Sequence, residues 1–303
     1  MRHVRPTRTW HCRAAGLALG MCMACGQAQE GAADPAAPDE QVAPYTVRQR
    51  TISIMAANTL AVAAYGKSNW WNDGFTTRFH SANEGWFGQN TYSGGADKLG
   101  HFYMNYAGVR LFSRAFEWAG NTPAGSNELA AWLMFGTFTA IEVLDGFSKQ
   151  WRFSKEDVVM NVAGVGAALL MEHHPDLDRV LDLRFLYRPS PEGGNHFDPF
   201  GDYSGQTYLA VVKASGIPAL RSHPVLRYLE LSVGYGTRGY GTLGYSTRNT
   251  YVGVSLNLSE LLNASVFKSP SKRGRAQRLT DTALEFIQVP GTAALARHRL
   301  DPD

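Results

Sequence analysis

The chain has 303 residues and a hydrophobic fraction of 44%, which is enough to bury a large core and excludes a largely disordered protein. Its formal net charge of +3 arises in residues 1–28, which hold four arginines and no acidic residue, so the other 25 basic and 26 acidic residues nearly cancel. This balance excludes nucleic acid as a predicted partner. All three cysteines (Cys12, Cys22 and Cys25) lie in the same segment, so the rest of the chain has no thiol nucleophile, disulfide or thiolate metal site.

Residues 1–28 have the order of a secretory signal peptide. Residues 1–13 are basic, residues 14–25 are uncharged and mostly apolar, and Gly26-Gln27-Ala28 places small residues before a cleavage point. The apolar run is too short to span a bilayer. We therefore expect cleavage after Ala28 and export to the periplasm.

Attachment to a membrane through a lipid is the alternative for this segment. Cys25 follows Ala24, as a lipidated cysteine would, but Cys22 stands where a large aliphatic residue is usual. Residues 29–46 are rich in alanine, proline and polar residues and are predicted to form a flexible linker.

Four segments with helical spacing of apolar residues predict a bundle of about four main helices within residues 47–188. The segments are 50–65, 98–118, 128–144 and 157–171. Uncharged stretches in three of them are shorter than the roughly 20 residues that a spanning helix needs. We expect a bundle that rests on a membrane surface, with integral insertion as the open alternative.

Three segments with mixed alternation of apolar and polar residues predict β-strands, at 208–212, 228–235 and 251–258. With their glycine-rich turn they predict a small antiparallel sheet within residues 189–267. Residues 268–303 are predicted to be a basic, partly disordered tail, with contact to anionic lipid as an alternative. The predicted fold class is therefore α+β.

Residues 67–95, between the first two predicted helices, form a long loop rich in tryptophan, phenylalanine, asparagine and glycine. A loop of this length and composition often covers or lines a site. The alternative is an ordinary loop packed on the surface, and the sequence leaves both interpretations open.

Polar residues recur at helical spacing on the apolar helices, which predicts a buried polar cluster. Four-residue or three-residue spacing places them on common faces in three groups: Asp97, Lys98, His101 and Asn105; Glu142 and Asp145; Ser154, Asp157 and Asn161. Helix capping is the structural alternative for Asp97, which follows two glycines, and for Ser154 with Asp157, which match a capping box. Glu142 fits capping least, because an anion near a helix C-terminus needs a partner.

The residue types in this cluster suit two kinds of chemistry. Asp97, His101, Glu142 and Asp145 are candidate ligands of a divalent metal. His101, Glu142 and Asp157 are candidate catalytic groups for acid–base chemistry, in which a buried histidine–acid pair adjusts its own pKa values. Lys98, Asn105, Ser154 and Asn161 are candidate supporting residues. The open alternative is an ion-pair network that only holds the helices in register.

Four motifs in this order resemble known envelope families. They are Asp97-Lys98-Leu99-Gly100-His101-Phe102, Glu142-Val143-Leu144-Asp145-Gly146-Phe147-Ser148, Phe153-Ser154-Lys155-Glu156-Asp157 and Asn161-Val162-Ala163-Gly164. Over residues 90–170 they resemble the YfiM-like family of predicted periplasmic lipoproteins, a domain of unknown function. Their order also resembles that of the VanZ-like membrane proteins, which are linked to glycopeptide-antibiotic resistance. Residues 202–208 and 234–236 resemble parts of longer YfiM-like members. The resemblance implies an envelope location and a helical core, and it carries no established activity.

Two functional hypotheses follow for an exported, periplasmic protein. In the first, the polar cluster has a structural or binding role, and the partner is another envelope component or the membrane surface. In the second, the protein is an enzyme that acts on an envelope lipid or glycan by metal-assisted or acid–base hydrolysis. The sequence shows no serine-hydrolase elbow, phosphate-binding loop or dinucleotide fingerprint, and it does not indicate an oligomeric state.

Overall fold

The computed structural model describes residues 44–195, 197–240, 246–267 and 274–301. The predicted signal peptide, the candidate lipidation residue Cys25 and most of the predicted linker lie outside the described residues. The described residues combine a helical bundle with an antiparallel sheet, so the predicted α+β fold class is confirmed.

The four predicted helices are present, and each is longer than its segment. They are α1 (Pro44–Asn69), α2 (Ala96–Ala119), α3 (Pro123–Phe147) and α4 (Lys155–His173). Helix α2 is central and packs against both α3 and α4. It approaches α3 at Gly108, where Met134 fills the space that a side chain would need, and it approaches α4 at Gly164. The core around α2 is rich in aromatic residues and includes Tyr103, Tyr106, Phe116, Leu133, Met134, Met171 and Phe286.

Five strands form an antiparallel sheet in the order β3-β4-β5-β6-β7. Their bounds are β3 (Leu181–Tyr187), β4 (Gln206–Lys213), β5 (Leu229–Arg238), β6 (Thr247–Leu256) and β7 (Ala293–Arg299). Two short strands, β1 (Ser81–Ala82) and β2 (Phe153–Ser154), pair in parallel beside the helices. The smaller helices are α5 (Pro175–Val180), α6 (Pro218–Arg221), α7 (Leu258–Ser265) and α8 (Arg275–Phe286).

Strand β3 lies within residues 47–188, the range of the predicted helical domain, although the sequence analysis predicted no strand there. Its sequence places Asp182 and Arg184 on one face, where both are buried. Arg184 donates to Glu230 on β5 at 2.7 Å and to Asp182 at 2.6 Å, and Lys213 also pairs with Asp182, so two cations neutralise the two acids. Because the partner acid lies 46 residues away, the strand's own sequence does not show that its charged residues can be buried.

The described part of the predicted tail is ordered, which corrects that prediction for residues 275–286 and 293–299. Helix α8 inserts Phe286 into the core beside Tyr106. Its Glu285 accepts hydrogen bonds from Arg114 at 2.7 and 2.8 Å and pairs with Arg110 at 2.9 Å. Strand β7 then pairs with β6. Residues 268–273 lie outside the described residues.

One face of the sheet is mixed: it buries the Asp182, Arg184 and Glu230 network beside the apolar cluster of Leu186, Leu209 and Val211. The other face is mostly apolar. On the apolar face, β3 and β4 pack against the helical core, but β5 and β6 leave Leu231 and Val252 exposed at 63% and 62%. The apolar side of the outer strands is therefore only partly covered.

Among the described residues, one helix is long and apolar enough to cross a membrane by length and composition. This helix is α3, and 33% of its most apolar 18-residue stretch is buried. Core helices of soluble proteins can meet the same criterion, so the finding alone does not place α3 in a bilayer.

Candidate functional site

The polar residues predicted from helical spacing lie at one end of the bundle. This end contains the N-termini of α2 and α4 and the C-terminus of α3. The side chains that meet there are Asp97, Lys98, His101 and Asn105 from α2, Glu142 from α3, and Ser154, Asp157 and Asn161 from β2 and α4. Most of them are buried, so the charged groups depend on one another rather than on water.

Glycines allow the helices to come together at this end. Gly94 and Gly95 have φ values of +64° and +93° before α2, a backbone region that favours glycine. Gly164 on α4 lies so close to α2 that a Cβ there would overlap the carbonyl oxygen of Phe102 and lie 2.9 Å from the Cβ of Asn105. The close approach of α4 to α2 makes contacts between polar side chains of the two helices possible.

The capping alternative holds for Ser154 but not for Asp97. The Ser154 hydroxyl accepts from the Asp157 backbone N–H at 3.3 Å and caps α4. In a capping box the third helical residue would bond back to the cap residue's N–H. Here Glu142 Oε2 accepts that hydrogen bond at 3.0 Å, which leaves the Asp157 carboxylate for other contacts. Asp97 does not cap α2, because Gly95 is the cap residue and makes no side-chain hydrogen bond.

Lys98 joins three carboxylates. Its buried ammonium lies 2.5 Å from Glu84, 3.1 Å from Asp97 and 2.8 Å from Asp157. Tyr203, from the connection before β4, donates its hydroxyl to Asp97 Oδ1 at 2.8 Å. Three acids therefore surround one fixed cation, and the cation does not balance their charge.

A chain of hydrogen bonds determines the tautomer of His101. Asn105 Nδ2 donates to the backbone oxygen of His101 at 2.9 Å, and this identifies the Asn105 atom as nitrogen. The same Nδ2 donates to Asn161 at 2.8 Å, so the Asn161 atom is the oxygen. That oxygen lies 3.0 Å from His101 Nδ1, which must carry a proton to bond to it. In the neutral ring Nε2 then has a free lone pair.

His101 Nε2 faces two carboxylate oxygens. Glu142 Oε1 lies 3.5 Å away and Asp97 Oδ1 lies 3.9 Å away. Each acid uses its other oxygen elsewhere: Glu142 Oε2 accepts from Ser154, and Asp97 Oδ2 faces Lys98. Asp97, His101 and Asp157 each offer one ligand atom, and these atoms lie within 4.8 Å of one another. This spacing allows a cation to bridge the imidazole and the acids.

Burial perturbs the acids on α3. It raises the pKa of Glu142 to about 8, although His101 and the Ser154 N–H favour the ionised form. It also raises the pKa of Asp145 to about 7, against a hydrogen bond of 2.6 Å from the Trp71 indole. Of the four predicted metal ligands, Asp97 and His101 belong to the group that they form with Asp157, whereas Glu142 and Asp145 lie outside it. Asp145 is held against Trp71.

The remaining ionisable groups influence one another strongly. Burial opposes the charge of Asp97, but His101 and Lys98 outweigh it and lower the Asp97 pKa. Burial and the charge of Asp97 raise the Asp157 pKa. Burial also opposes a charge on His101, but Asp157, Asp97 and Glu142 together raise its pKa. Diverging pKa values of this kind often mark functional sites, although ion-pair networks produce them too.

Sequence reasoning missed three residues of the site: Glu84, Trp71 and Tyr203. Trp71 and Glu84 come from the aromatic loop 67–95, which was left open as either a cover or an ordinary surface loop. Their contacts with Asp145 and Lys98 show that the loop covers this end of the bundle. Tyr203 lies in the segment 202–208, and its resemblance to longer YfiM-like members was the available signal.

Comparison with protein-family models matches part of this chain. Residues 83–173 match the model of a family described as a predicted periplasmic lipoprotein (DUF2279). The matched region contains α2, α3 and α4 with the whole polar cluster apart from Trp71 and Tyr203. A search of curated proteins and a search of solved structures found no match.

The family description supports the predicted export, periplasmic location and attachment to a membrane. It also supports the general prediction that this chain is a protein of the cell envelope. The more specific resemblance of the motif order to YfiM-like and VanZ-like proteins stays a prediction, and so does the role of each site residue.

Proposed function

We propose that this envelope protein binds a divalent cation between Asp97, His101 and Asp157, whose ligand atoms lie within 4.8 Å of one another, with Glu142 as a further ligand beside His101. The observation that carries the proposal is the orientation of the ligand atoms. One oxygen of Asp97 and one of Glu142 are held by Lys98 and Ser154, and the other oxygen of each faces His101 Nε2. Outer contacts that orient the ligands in this way are usual around protein metal sites.

The charge balance of the cluster supports a cation. Glu84, Asp97, Glu142 and Asp157 supply four carboxyl groups, whereas Lys98 supplies one permanent positive charge. Even a protonated His101 leaves the ionised cluster with an excess of two negative charges, which is costly in a buried site. Without a cation, protons on the acids with raised pKa values must neutralise this excess. A divalent cation can take their place, and it favours the mixed nitrogen and oxygen ligands that this site offers.

A second candidate function is acid–base catalysis on an envelope lipid or glycan. The observation that favours it is the pairing of His101 Nε2, which has a free lone pair in the neutral ring, with Glu142, whose pKa of about 8 keeps it protonated near neutrality. When the imidazole is neutral, a condition that its raised pKa moves to higher pH, the pair can take a proton at Nε2 and deliver one from the carboxyl. Asp157 would act in this scheme as a further acid beside Lys98.

The experiment is elemental mass spectrometry on the purified, exported protein, followed by titration with zinc, manganese and iron(II). We expect close to one bound ion per chain, and we expect His101→Ala and Glu142→Gln to lose it. The matched control is Glu230→Gln, which alters an equally buried acid in the sheet network and should keep the metal. Circular dichroism confirms that each variant is folded.

The same measurements can contradict cation binding. Wild-type protein that holds no metal after titration, and whose unfolding temperature does not change, contradicts cation binding. Reduced stability of both cluster variants in that case identifies the cluster as an ion-pair network. If both cluster variants keep the stability of the wild type but lose an envelope phenotype, the acid–base candidate is favoured.

A further inference from the structure

Helices α3 and α4 leave a continuous apolar surface uncovered. Both bury one side against α2 and expose the other. The exposed side of α3 carries Trp132 at 67%, Val143 at 41% and Leu144 at 38% exposure. Gly136 and Ala140 lie between them and are also exposed. No charged residue interrupts this stretch of α3 from residue 129 to residue 141.

The exposed side of α4 has the same character. Val159, Val162 and Leu170 are exposed at 52%, 54% and 48%. Ala163 and Gly166 complete the stripe, and residues 158–171 contain no charged side chain. Since α3 and α4 also pack against each other, the two stripes are neighbours. We call these stripes together the α3–α4 face. An uncovered apolar area of this kind marks an interaction surface.

The chain between α3 and α4 places positive charge at one end of this face. Lys149, Arg152 and Lys155 are exposed there, and residues 148–155 contain no acid. Two exposed aromatic side chains flank the same end: Phe75, which is 48% exposed, and Phe79, which is 47% exposed and contacts Phe147 and Phe153. An apolar helical surface with basic and aromatic residues at its edge is typical of a membrane interface.

We propose that the α3–α4 face docks in the plane of an anionic lipid bilayer. The aliphatic side chains enter the boundary between headgroups and acyl chains, and Lys149, Arg152 and Lys155 pair with lipid phosphates. These cations favour lipid phosphate as the partner, because the apolar stretches 129–141 and 158–171 that a second copy would present contain no acidic residue. The exposed Glu128 lies at the other end of α3. This inference does not depend on cation binding by the buried cluster.

The test is co-flotation with vesicles of phosphatidylglycerol and phosphatidylethanolamine. The protein is expressed from its full sequence with Cys25→Ser, so that no acyl anchor at that residue contributes. The face variant is Val162→Ser with Leu170→Ser, and we expect it to reduce vesicle binding about tenfold or more. The matched control is Leu231→Ser with Val252→Ser, which removes two equally exposed aliphatic side chains from the sheet and should bind as before.

A second pair of substitutions distinguishes binding to anionic headgroups from general hydrophobic binding. Lys149→Gln with Arg152→Gln should weaken binding to the anionic vesicles about tenfold or more and leave the weaker binding to phosphatidylcholine vesicles unchanged. High salt should reproduce this loss in the wild-type protein.

Three results would overturn the proposal. The first is wild-type protein that does not float with anionic vesicles. The second is an equal loss of binding in the helix variant and the sheet control. The third is light scattering that shows a wild-type dimer and a monomeric Val162→Ser, Leu170→Ser variant, because the α3–α4 face would then be an interface between two copies.

Discussion

Two alanine substitutions in α4 test the close approach that assembles the site. Gly164→Ala would place a Cβ onto the carbonyl oxygen of Phe102 and 2.9 Å from the Cβ of Asn105, so α2 and α4 must separate. Overpacking of this kind costs about 1–3 kcal/mol. Gly166 is the matched control, because a Cβ there meets no atom within 4 Å. At such an open helical position, alanine stabilises the fold by roughly 0.5–1 kcal/mol.

The two variants should therefore shift the free energy of unfolding in opposite directions, although only Val165 separates the two glycines. Urea unfolding followed by circular dichroism measures both changes against the wild type. Separation of α2 and α4 should also disturb the Asn105–Asn161 hydrogen bond, so Gly164→Ala should lose bound cation where Gly166→Ala keeps it. A Gly164→Ala protein that is as stable as Gly166→Ala would refute the close approach of these helices.

Three further predictions test the electrostatics. Burial raises the pKa of Glu142 from its usual 4.5 to about 8, so in chelator the contribution of this group to stability should be fully present below about pH 4.5 and be lost as the pH rises through 8. Glu142→Gln should remove this decline, which is at most about 1.4 kcal/mol per pH unit, and a parallel pH profile in both proteins would contradict it. Glu230→Leu should cost about 3–5 kcal/mol by leaving the Arg184 guanidinium without its acid on β5, and Arg184→Met in the same chain should recover most of that loss in urea unfolding. Nitrogen NMR should show the Nδ1–H tautomer of His101 at high pH, and Asn161→Leu should abolish this preference, whereas an Nε2–H ring in the wild type would contradict the hydrogen-bond chain.

Helical periodicity in the sequence predicted the main features of the site. Asp97, His101 and Asn105 recur every four residues, so they must share a face of any helix that contains them. The same argument paired Asp157 with Asn161. Because helix geometry is local, these relations hold without knowledge of the tertiary fold. The bundle and the fold class follow from similar local patterns.

Contacts between distant parts of the chain were not predictable in the same way. Glu84 and Tyr203 reach Lys98 and Asp97 from loops, and nothing in the local spacing of those loops indicates their direction. The link between Ser154 and Glu142 replaces half of a capping box that local sequence assigns to Asp157. These cases depend on long-range packing, which a sequence pattern does not contain.

Strand β3 and the ordered tail were missed for a related reason. Asp182 and Arg184 make β3 look unsuitable for burial until Glu230 is brought beside them. Helix α8 carries several basic and polar residues, and its order depends on Phe286 in the core and Glu285 against two arginines. Partners far apart in sequence thus determine whether a charged segment folds.

The two proposals meet in the short chain that leads into α4. Arg152 and Lys155 point to solvent, whereas Ser154 and Asp157 are buried in the polar cluster. Exposed basic residues and buried cluster residues therefore occur within the same short segment, so the basic edge of the α3–α4 face lies next to the cluster. Docking on anionic lipid would therefore bring the cluster close to the headgroups, where divalent cations accumulate around phosphates. A cation taken up there, or an envelope lipid presented there, would then lie close to the end of the bundle that holds His101, beside the 67–95 loop that covers it.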